Sequence, residues 1–241
     1  MKKLAIDIGN TFIKCGVFEN NKIVDRVSIK SAKELAGLLT KHSPSQAVIC
    51  SVVPQKNKEF VDYLKKHTEA SIQNIHYKKT NLKLNVEKPE SVGNDRLCNV
   101  FGALKLYSAP LIVIDFGTAT TYDVVNKKNE FIGGIIAPGV ETSTKNLISK
   151  AALLKSIDLV FPSRVIGNNT TNNIQSGIMF GAVAQVEGLV KKIQLESNVQ
   201  HTLILTGGFA KLISPHLNIN HVLENDLTLK GMLYINESLD K

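Results

Sequence analysis

Hydrophobic residues near the start and the middle of the chain occur in short, unbroken runs. Residues 4–7 (LAID) and 111–115 (LIVID) are apolar up to a final aspartate, and a turn with glycine follows each run. A second β-prone run and a polar hairpin tip come next in both places. Unbroken apolar runs of this length are typical of strands buried on both faces. Each segment therefore predicts a β-hairpin that begins in a core.

The two segments form an internal repeat. Their aligned pairs are Asp7 with Asp115, Gly9 with Gly117, Leu4 with Ile112, Ile6 with Ile114 and the tip 20–21 with 128–129. The offset of 108 residues is close to half of the 241-residue chain. A repeat of this length indicates two related domains rather than a short tandem array. We expect the domains at 1–108 and 109–241, with a junction at residues 108–110 (Ser-Ala-Pro).

Helical segments separate the predicted strands. Ser31 and Glu34 form a capping box ahead of apolar positions spaced for one helical face. The other predicted elements are a strand at 46–53 ended by Pro54, a helix carrying Phe60, Val61 and Leu64, a long helix at 174–195, a strand at 203–206 and a helix at 229–239. Because strands and helices alternate in both halves, the fold class is α/β.

Composition excludes several classes of protein. Hydrophobic residues make up 43% and charged residues 21%, and no apolar run approaches the length of a membrane span. The first residues do not resemble a signal peptide, because their apolar part is short and contains Asp7. The three scattered cysteines, Cys15, Cys50 and Cys98, are too few for a disulfide framework or a zinc site, and we expect a reducing cytoplasm.

The formal charge of +8 raises the question of nucleic-acid binding. The lysines are dispersed along the chain in pairs, tryptophan is absent and aromatic residues make up 6%. No basic block or stacking platform is therefore apparent, and we expect no nucleic-acid partner. A lysine-rich surface would still attract anionic substrates such as ATP.

The two aspartate–glycine turns carry the candidate chemistry. Glycine lets backbone amides approach a phosphate, and the aspartate before it can hold a hydrated cation. Hydroxyl donors follow in both turns at Thr11, Thr118, Thr120 and Thr121. One such turn is common in any protein, whereas two at equivalent places suggest a pair that closes on one polyphosphate. No GxxxxGK[ST] sequence occurs, which disfavours a P-loop enzyme.

Several motifs give the chain a family resemblance. The phosphate motifs of the acetate/sugar kinase, chaperone ATPase and actin superfamily are similar to 7–11 (DIGNT) and 115–121 (DFGTATT), and its adenosine motif is similar to 206–210 (TGGFA). Type III pantothenate kinases in particular have motifs similar to 93–96 (GNDR), 133–139 (GGIIAPG) and 166–181 (IGNNTTNNIQSGIMFG). The resemblance implies two duplicated ribonuclease H-like domains of the actin/hexokinase type, with mixed sheets flanked by helices. It also implies ATP-dependent phosphorylation of pantothenate, the first step of coenzyme A biosynthesis.

The resemblance further implies roles for residues of the first half. The β- and γ-phosphates of ATP would contact Asp7, Ile8, Gly9, Asn10, Thr11, Phe12, Ile13 and Lys14, with magnesium near Asp7. The proton of the pantothenate hydroxyl would pass to Asp95. Substrate contacts would come from Gly93, Asn94 and Arg96. A substrate-contacting tyrosine is common in the family seven positions before Gly93, and here that position is Val86.

In the second half, the resemblance makes Asp115 a ligand of a monovalent cation, potassium or ammonium. Thr118 would contact ATP, and Thr170 would contact the substrate of the partner subunit in a homodimer. The physical reasoning agrees with such roles, because phosphoryl transfer requires positioned phosphates, charge neutralisation and a carboxylate for the attacking hydroxyl.

Simpler interpretations of these residues stay open. Asp95 and Arg96 would form a surface ion pair in an ordinary protein, Asp115 could cap a turn, and Thr170 lies in a loop that resembles a helix start. Small residues recur on one face of the long helix at Gly177, Gly181, Ala184 and Gly188. That face fits either close packing within the subunit or a homodimer interface.

Two alternative functions also stay open. A related kinase could phosphorylate another small hydroxylated acid or sugar, since Val86 departs from the family pattern. The other is a non-enzyme: an actin-like switch, which would not need the GNDR motif, or a regulatory factor of the same family, for which the dispersed lysines and few aromatic residues disfavour direct DNA binding.

Overall fold

The computed structural model describes residues 1–150 and 157–239, which fold as two compact units. The first unit contains residues 1–107 and a second segment of the chain that begins at Asp226. The second unit lies between them in sequence, from Ser108 to Asn225.

A mixed sheet forms the centre of the first unit. Its strands are β1 (Lys2–Ile8), β2 (Ile13–Glu19), β3 (Lys22–Ile29), β4 (Gln46–Ser51) and β5 (Ser71–Asn74), in the order β3-β2-β1-β4-β5. The first three are antiparallel neighbours, whereas β4 and β5 run parallel to β1. The unit also contains α1 (Ala36–His42), α2 (Pro54–His67), the short strand β6 (Lys83–Leu84), α3 (Asn94–Leu106) and three 3-10 turns at Ala32–Leu35, Tyr77–Lys79 and Pro89–Ser91.

The second unit repeats this arrangement. Its elements are β7 (Leu111–Phe116), β8 (Ala119–Val125), β9 (Glu130–Pro138), α4 (Val140–Lys150), α5 (Thr170–Ser197), β10 (Thr202–Gly207), α6 (Ala210–Ile213), a 3-10 turn (Ser214–His216) and β11 (Val222–Leu223). The five strands are ordered β9-β8-β7-β10-β11, with antiparallel and parallel neighbours in the same places as in the first unit. The predicted duplication and the α/β class are confirmed.

The central strands are buried on both faces, as their apolar runs predict. In β1, Leu4, Ile6 and Ile8 pack in one core cluster with residues of α1 and α2. Ala5 faces the opposite side and packs in a second cluster with residues of α3. Because the side chains of a strand alternate between faces, a strand between two helical layers needs apolar residues at successive positions.

The predicted element ends agree with the structure where a specific side chain sets them. Glu34 Oε1 accepts a hydrogen bond from the Ser31 backbone N–H at 3.0 Å, which confirms the capping box, although the helix starts with a 3-10 turn before α1. Helix α5 begins at Thr170, four residues before the predicted start. The cause is Asn169, whose Oδ1 accepts from the Asn172 N–H at 2.9 Å and caps the helix.

The last helix, α7 (Leu227–Leu239), packs in the first unit. Its Thr228 hydroxyl donates a buried hydrogen bond of 2.8 Å to Asn99 Oδ1 on α3. Gly231 lies against the Cys98 carbonyl so closely that a side chain there would collide with it. The sequence-based division at 108/109 assigned this helix to the second domain, whereas its contacts are with α3, β1 and β4. A contiguous division of the sequence cannot detect such a return of the chain.

None of the helices in the described ranges combines the length and apolarity needed to cross a membrane.

Candidate functional site

The first aspartate–glycine turn connects β1 to β2. Gly9 donates its N–H to the Phe12 carbonyl at 3.1 Å, and a side chain at Gly9 would lie 3.0 Å from that oxygen. The turn residues Asn10, Thr11 and Phe12 are exposed, Phe12 at 53% of its surface. The tip of the turn is therefore open to solvent.

Asp7 lies at the centre of a row of residues that crosses four strands. Its register partner on β2 is Lys14, whose own partner on β3 is Ser28, and its partner on β4 is Cys50. Register partners in adjacent strands have Cβ atoms about 4.5–5.5 Å apart on the same face. The row consequently places a lysine and an aspartate next to each other at the base of the exposed turn.

Helix α3 begins with the GNDR motif. Gly93 is its N-cap residue and Asp95 lies in its first turn, where the helix dipole favours a negative charge. Asp95 Oδ1 accepts a hydrogen bond from the Arg96 backbone N–H at 2.8 Å. A side chain at Gly93 would lie 2.5 Å from the same oxygen, so the glycine is required for this position of the carboxylate.

Asn94 is held by the end of β4. Its side-chain Nδ2 donates to the Ser51 backbone carbonyl at 3.1 Å. With the amide nitrogen fixed in this way, the amide oxygen is available to accept a hydrogen bond. Sequence reasoning assigned no role to Ser51, and its position at the end of a strand parallel to β1 is the only signal that could have found it.

Asp7 and Asp95, which are 88 positions apart in the sequence, are brought together around Cys50. Hydrogen bonding with Cys98, burial and the negative charges of Asp7 and Asp95 all raise the pKa of Cys50. Both carboxylates therefore act electrostatically on one buried thiol. The structure thus brings the phosphate turn and the GNDR motif to the same end of the first sheet.

The second aspartate–glycine turn is built in the same way in the second unit. Gly117 donates its N–H to the Ala119 carbonyl at 3.1 Å. The Thr118 carbonyl accepts from the Gly139 N–H at 3.2 Å and from the Thr142 hydroxyl at 2.6 Å. Gly139 lies so close to the carbonyls of Gly117 and Thr118 that a side chain would collide with both. These contacts fix the turn against the start of α4.

The hydroxyls predicted for this turn differ in their surroundings. Thr118 is exposed, as is Thr11 in the first turn, and both can reach a ligand. Thr120 is buried, so its hydroxyl is not presented at the surface of the turn. The difference follows from their positions, because Thr118 belongs to the turn whereas Thr120 lies within β8, whose residues are largely buried.

Asp115 lies where β7 meets the TGGFA segment. Its parallel register partner is Thr206, and Phe116 pairs with Gly207. Gly207 has φ +94 and touches the Asp115 carboxylate, so that no side chain fits between them. Sequence reasoning used this segment as a motif but assigned no role to Gly207 or Gly139.

Two other candidate positions lie apart from these turns. Val86 is half-buried in a bend that follows β6 in the first unit, and Thr170 is the exposed first residue of α5 in the second.

The small-residue face of α5 points away from the core. Gly177, Gly181, Ala184 and Gly188 are all exposed. A side chain added at any of the three glycines would meet nothing within 4 Å in the described part of the chain. Close packing of this face within the subunit, one of the two interpretations of the sequence, therefore does not occur among the described residues.

Cation binding at these aspartates would depend on ligands of several kinds. No cluster of three His, Cys, Asp or Glu side chains occurs in residues 1–150 and 157–239. Hard cations such as Mg²⁺ accept carboxylate, carbonyl, water and phosphate oxygens together. The single carboxylates of Asp7 and Asp115, each beside a turn with backbone carbonyls, fit such a mixed set.

Comparison with known proteins identifies a family. A sequence profile of type III pantothenate kinases matches residues 3–192. The type III pantothenate kinase of Sulfurihydrogenibium sp. is 38% identical over 249 aligned residues, which cover 97% of this chain and 99% of that protein. The type III pantothenate kinase of Dehalococcoides mccartyi is 36% identical over 250 residues, with coverages of 97% and 95%.

Solved structures share the fold at lower identity. A protein from Sinorhizobium meliloti, described as a candidate 2-dehydro-3-deoxygalactonokinase, superposes with a TM-score of 0.64 and 12% identity. The superposition covers 98% of this chain and 96% of that one. This likeness concerns the fold, and it agrees with the duplicated α/β architecture.

Proposed function

Because the chain belongs to the type III pantothenate kinase family, we propose that it transfers the γ-phosphoryl group of ATP to the hydroxyl of pantothenate. The product is 4′-phosphopantothenate, and the reaction is the first step of coenzyme A biosynthesis. The observation that carries the proposal within the structure is the hydrogen bond from Asn94 to Ser51, because Ser51 pairs with Ile8 and the GNDR motif therefore lies at the end of the first sheet that carries the exposed turn.

The first turn, from Asp7 to Lys14, binds the β- and γ-phosphates in this proposal. Its exposed backbone amides and the Thr11 hydroxyl supply neutral donors, and Lys14 beside Asp7 supplies a positive charge. Asp7 would hold Mg²⁺, which neutralises the charge that develops on the phosphates.

Asp95 is the base in this proposal. It accepts the proton of the pantothenate hydroxyl as the oxygen attacks the γ-phosphorus, so that the new P–O bond forms while the bond to ADP breaks. The fixed carboxylate, with one oxygen held by the Arg96 N–H and the helix dipole behind it, supports this role. Gly93, Asn94 and Arg96 contact pantothenate, and Arg96 suits its carboxylate as a planar donor. Val86 stands where the family commonly has a tyrosine, and we propose an apolar contact there.

In the second unit, Asp115 binds a monovalent cation, K⁺ or NH₄⁺, and Thr118 contacts ATP. The exposed Thr118 side chain and the contact of Gly207 with Asp115 support these assignments.

We also propose a homodimer located in the cytoplasm. The exposed small-residue face of α5 supports a close contact with a second copy, and Thr170 at the start of that helix would then reach the partner's pantothenate. The three cysteines, which are free and buried, are compatible with a reducing compartment.

A direct assay tests the function. Purified protein is mixed with ATP, Mg²⁺, K⁺ and pantothenate, and phosphopantothenate is detected by mass spectrometry. Parallel reactions replace pantothenate with small sugars or other hydroxy acids, which tests for a related kinase. Turnover with one of these compounds and none with pantothenate would overturn the substrate assignment. No turnover with any acceptor would favour a regulatory protein.

A further inference from the structure

Two of the three cysteines form a contact beside the proposed catalytic residues. Cys50 and Cys98 are both 0% exposed and belong to the same core cluster. Hydrogen bonding with Cys98 is the largest of the effects that raise the pKa of Cys50. Cys50 is the register partner of Asp7 on the neighbouring strand. Cys98 follows Asp95 by three positions on α3, which is about one helical turn.

Cys98 therefore lies on the helix that carries Asp95, and Cys50 lies on β4, the strand that pairs with the strand of Asp7. Asp7 is tied to Cys50 through the β1–β4 ladder, and Asp95 is tied to Cys98 through the first turns of α3. The Cys50–Cys98 pair lies where β4 meets α3, and the Asn94–Ser51 hydrogen bond joins the same two elements. A change at this point would move α3 relative to β1.

We propose that Cys50 and Cys98 are positioning residues, whose contact sets the separation between the carboxylates of Asp7 and Asp95. The inference rests on the proposed kinase function and deepens it. In this proposal, the two buried thiols hold the base, Asp95, at the correct distance from the phosphate turn.

The packing behind Cys98 supports this role. Gly231 of α7 lies directly against the Cys98 carbonyl. A Cβ atom added at Gly102 of α3 would lie 3.1 Å from the Gly231 Cα. Helix α3 is thus held on one side by backbone contact with α7 and on another by the contact with Cys50. Because protein cores are close-packed, a small change of side-chain volume at Cys50 or Cys98 shifts the elements packed around it.

A chemical role for the thiols is not supported. The raised pKa of Cys50 keeps it in the neutral thiol form, and the thiolate is the nucleophilic form of cysteine. Packing and hydrogen bonding are therefore the properties through which the pair acts.

The third cysteine provides a matched control. Cys15 is also 0% exposed, but it lies in the core cluster on the opposite face of the first sheet. Burial, followed by the charges of Asp7 and Glu34, raises its pKa to about 12, without a contribution from Asp95. Cys15→Ala removes the same sulfur atom from a buried site that does not connect the two carboxylates.

The test compares pantothenate kinetics and thermal unfolding for Cys98→Ala, Cys50→Ala, Cys98→Ser and Cys15→Ala. We expect kcat to fall by about 10- to 100-fold in Cys98→Ala and Cys50→Ala, because small misplacements of reacting groups cost this much. The KM for ATP should stay within about 2-fold, since the phosphate turn itself is unchanged. Cys98→Ser, which keeps a small hydrogen-bonding side chain, should recover most of the lost kcat. Cys15→Ala should lower the melting temperature similarly while leaving kcat unchanged.

Equal kcat values for Cys98→Ala, Cys50→Ala and Cys15→Ala, with an active wild type, would overturn the positioning role alone. If only one of Cys98→Ala and Cys50→Ala folds, the kcat of that variant is compared with the kcat of Cys15→Ala in the same way. A wild-type protein without pantothenate kinase activity would overturn the proposed function, and the positioning role with it.

Discussion

Gly207 borders the carboxylate of Asp115 so closely that only a residue without a side chain fits there. The parallel pairing of β10 with β7 brings the two positions together, and Gly207 adopts φ +94, in the region that glycine tolerates best. The orientation of Asp115 therefore depends on a residue of the TGGFA segment, 92 positions further along the chain.

A first prediction follows for Gly207→Ala. The new methyl group strains the backbone and displaces the Asp115 carboxylate, so we expect a loss of about 1–3 kcal/mol in unfolding free energy. Potassium-dependent turnover should fall at the same time. Urea unfolding and kinetics would measure both effects. Gly37→Ala, at an exposed position of α1 with nothing within 4 Å, is the control, and it should leave turnover unchanged without lowering stability. Normal turnover in Gly207→Ala would contradict the link to Asp115.

The second prediction concerns the cation. If Asp115 binds K⁺ or NH₄⁺, turnover should collapse when potassium is replaced by sodium at equal ionic strength and constant magnesium. Asp115→Ala should be slow in either salt. Steady-state rates in matched chloride salts would measure the effect, and full wild-type activity in sodium would remove the cation from Asp115.

The third prediction concerns Asp95. Asp95→Asn should lower kcat by about 10²–10⁴-fold, the usual contribution of a general base, while ATP binding is retained. Single-turnover kinetics and nucleotide-binding calorimetry would separate the two effects. The matched control is Asp62→Asn, which alters an exposed acid on α2 and should leave kcat unchanged. Near-normal turnover in Asp95→Asn would mean that another group accepts the proton.

The fourth prediction concerns assembly. Gly181→Leu places a large side chain on the exposed face of α5, and overpacking of a close contact typically costs about 1–3 kcal/mol. We expect dissociation at low protein concentration, together with a higher KM for pantothenate because Thr170 is withdrawn. Sedimentation and kinetics over one concentration series would test this, with Gly37→Leu as the control. A monomeric variant with unchanged pantothenate kinetics would separate Thr170 from the substrate.

The fifth prediction concerns pH and stability. Hydrogen bonds from Lys41 at 2.7 Å and His42 at 2.8 Å lower the pKa of Asp25 from 3.8 to about 2. The lowered pKa means that this carboxylate stabilises the fold above pH 3.8, and that the contribution is lost as pH falls toward 2. Asp25→Asn should therefore be less stable than wild type at neutral pH and equal to it near pH 2. Unfolding measured across this range would test the prediction, which a pH-independent difference would contradict.

The strands were predictable because burial on both faces leaves a local signature. Leu4, Ala5 and Ile6 are successive apolar residues for that reason, and the asparagines of the hairpin tips tolerate the positive φ that tight turns require, as at Asn20 and Asn129. The start of α5 was harder to predict from the sequence, because Asn169, which caps the helix, lies in a polar run with no helical periodicity.

The candidate site could be predicted only as separate motifs. DIGNT and GNDR each contain an acid that the sequence identifies, but their proximity depends on the parallel pairing of β1 with β4 and on the position of α3. Cys50 and Cys98 carry no motif at all, and their contact exists only because two distant elements meet. Gly139 and Gly207 lie within recognised motifs, yet their role as neighbours of Thr118 and Asp115 requires three-dimensional distances.

The return of α7 to the first unit has a consequence for how the chain folds during synthesis. Residues 108–225 leave the ribosome as one continuous stretch, whereas the first unit lacks α7 until the second unit has been made. Until then the α3 surface formed by Cys98, Asn99 and Gly102 stays uncovered. The N-terminal unit, although its synthesis begins first, is therefore completed after the second unit, and helix α3, which carries Asp95, gains its contacts with α7 only once Leu227–Leu239 has been made.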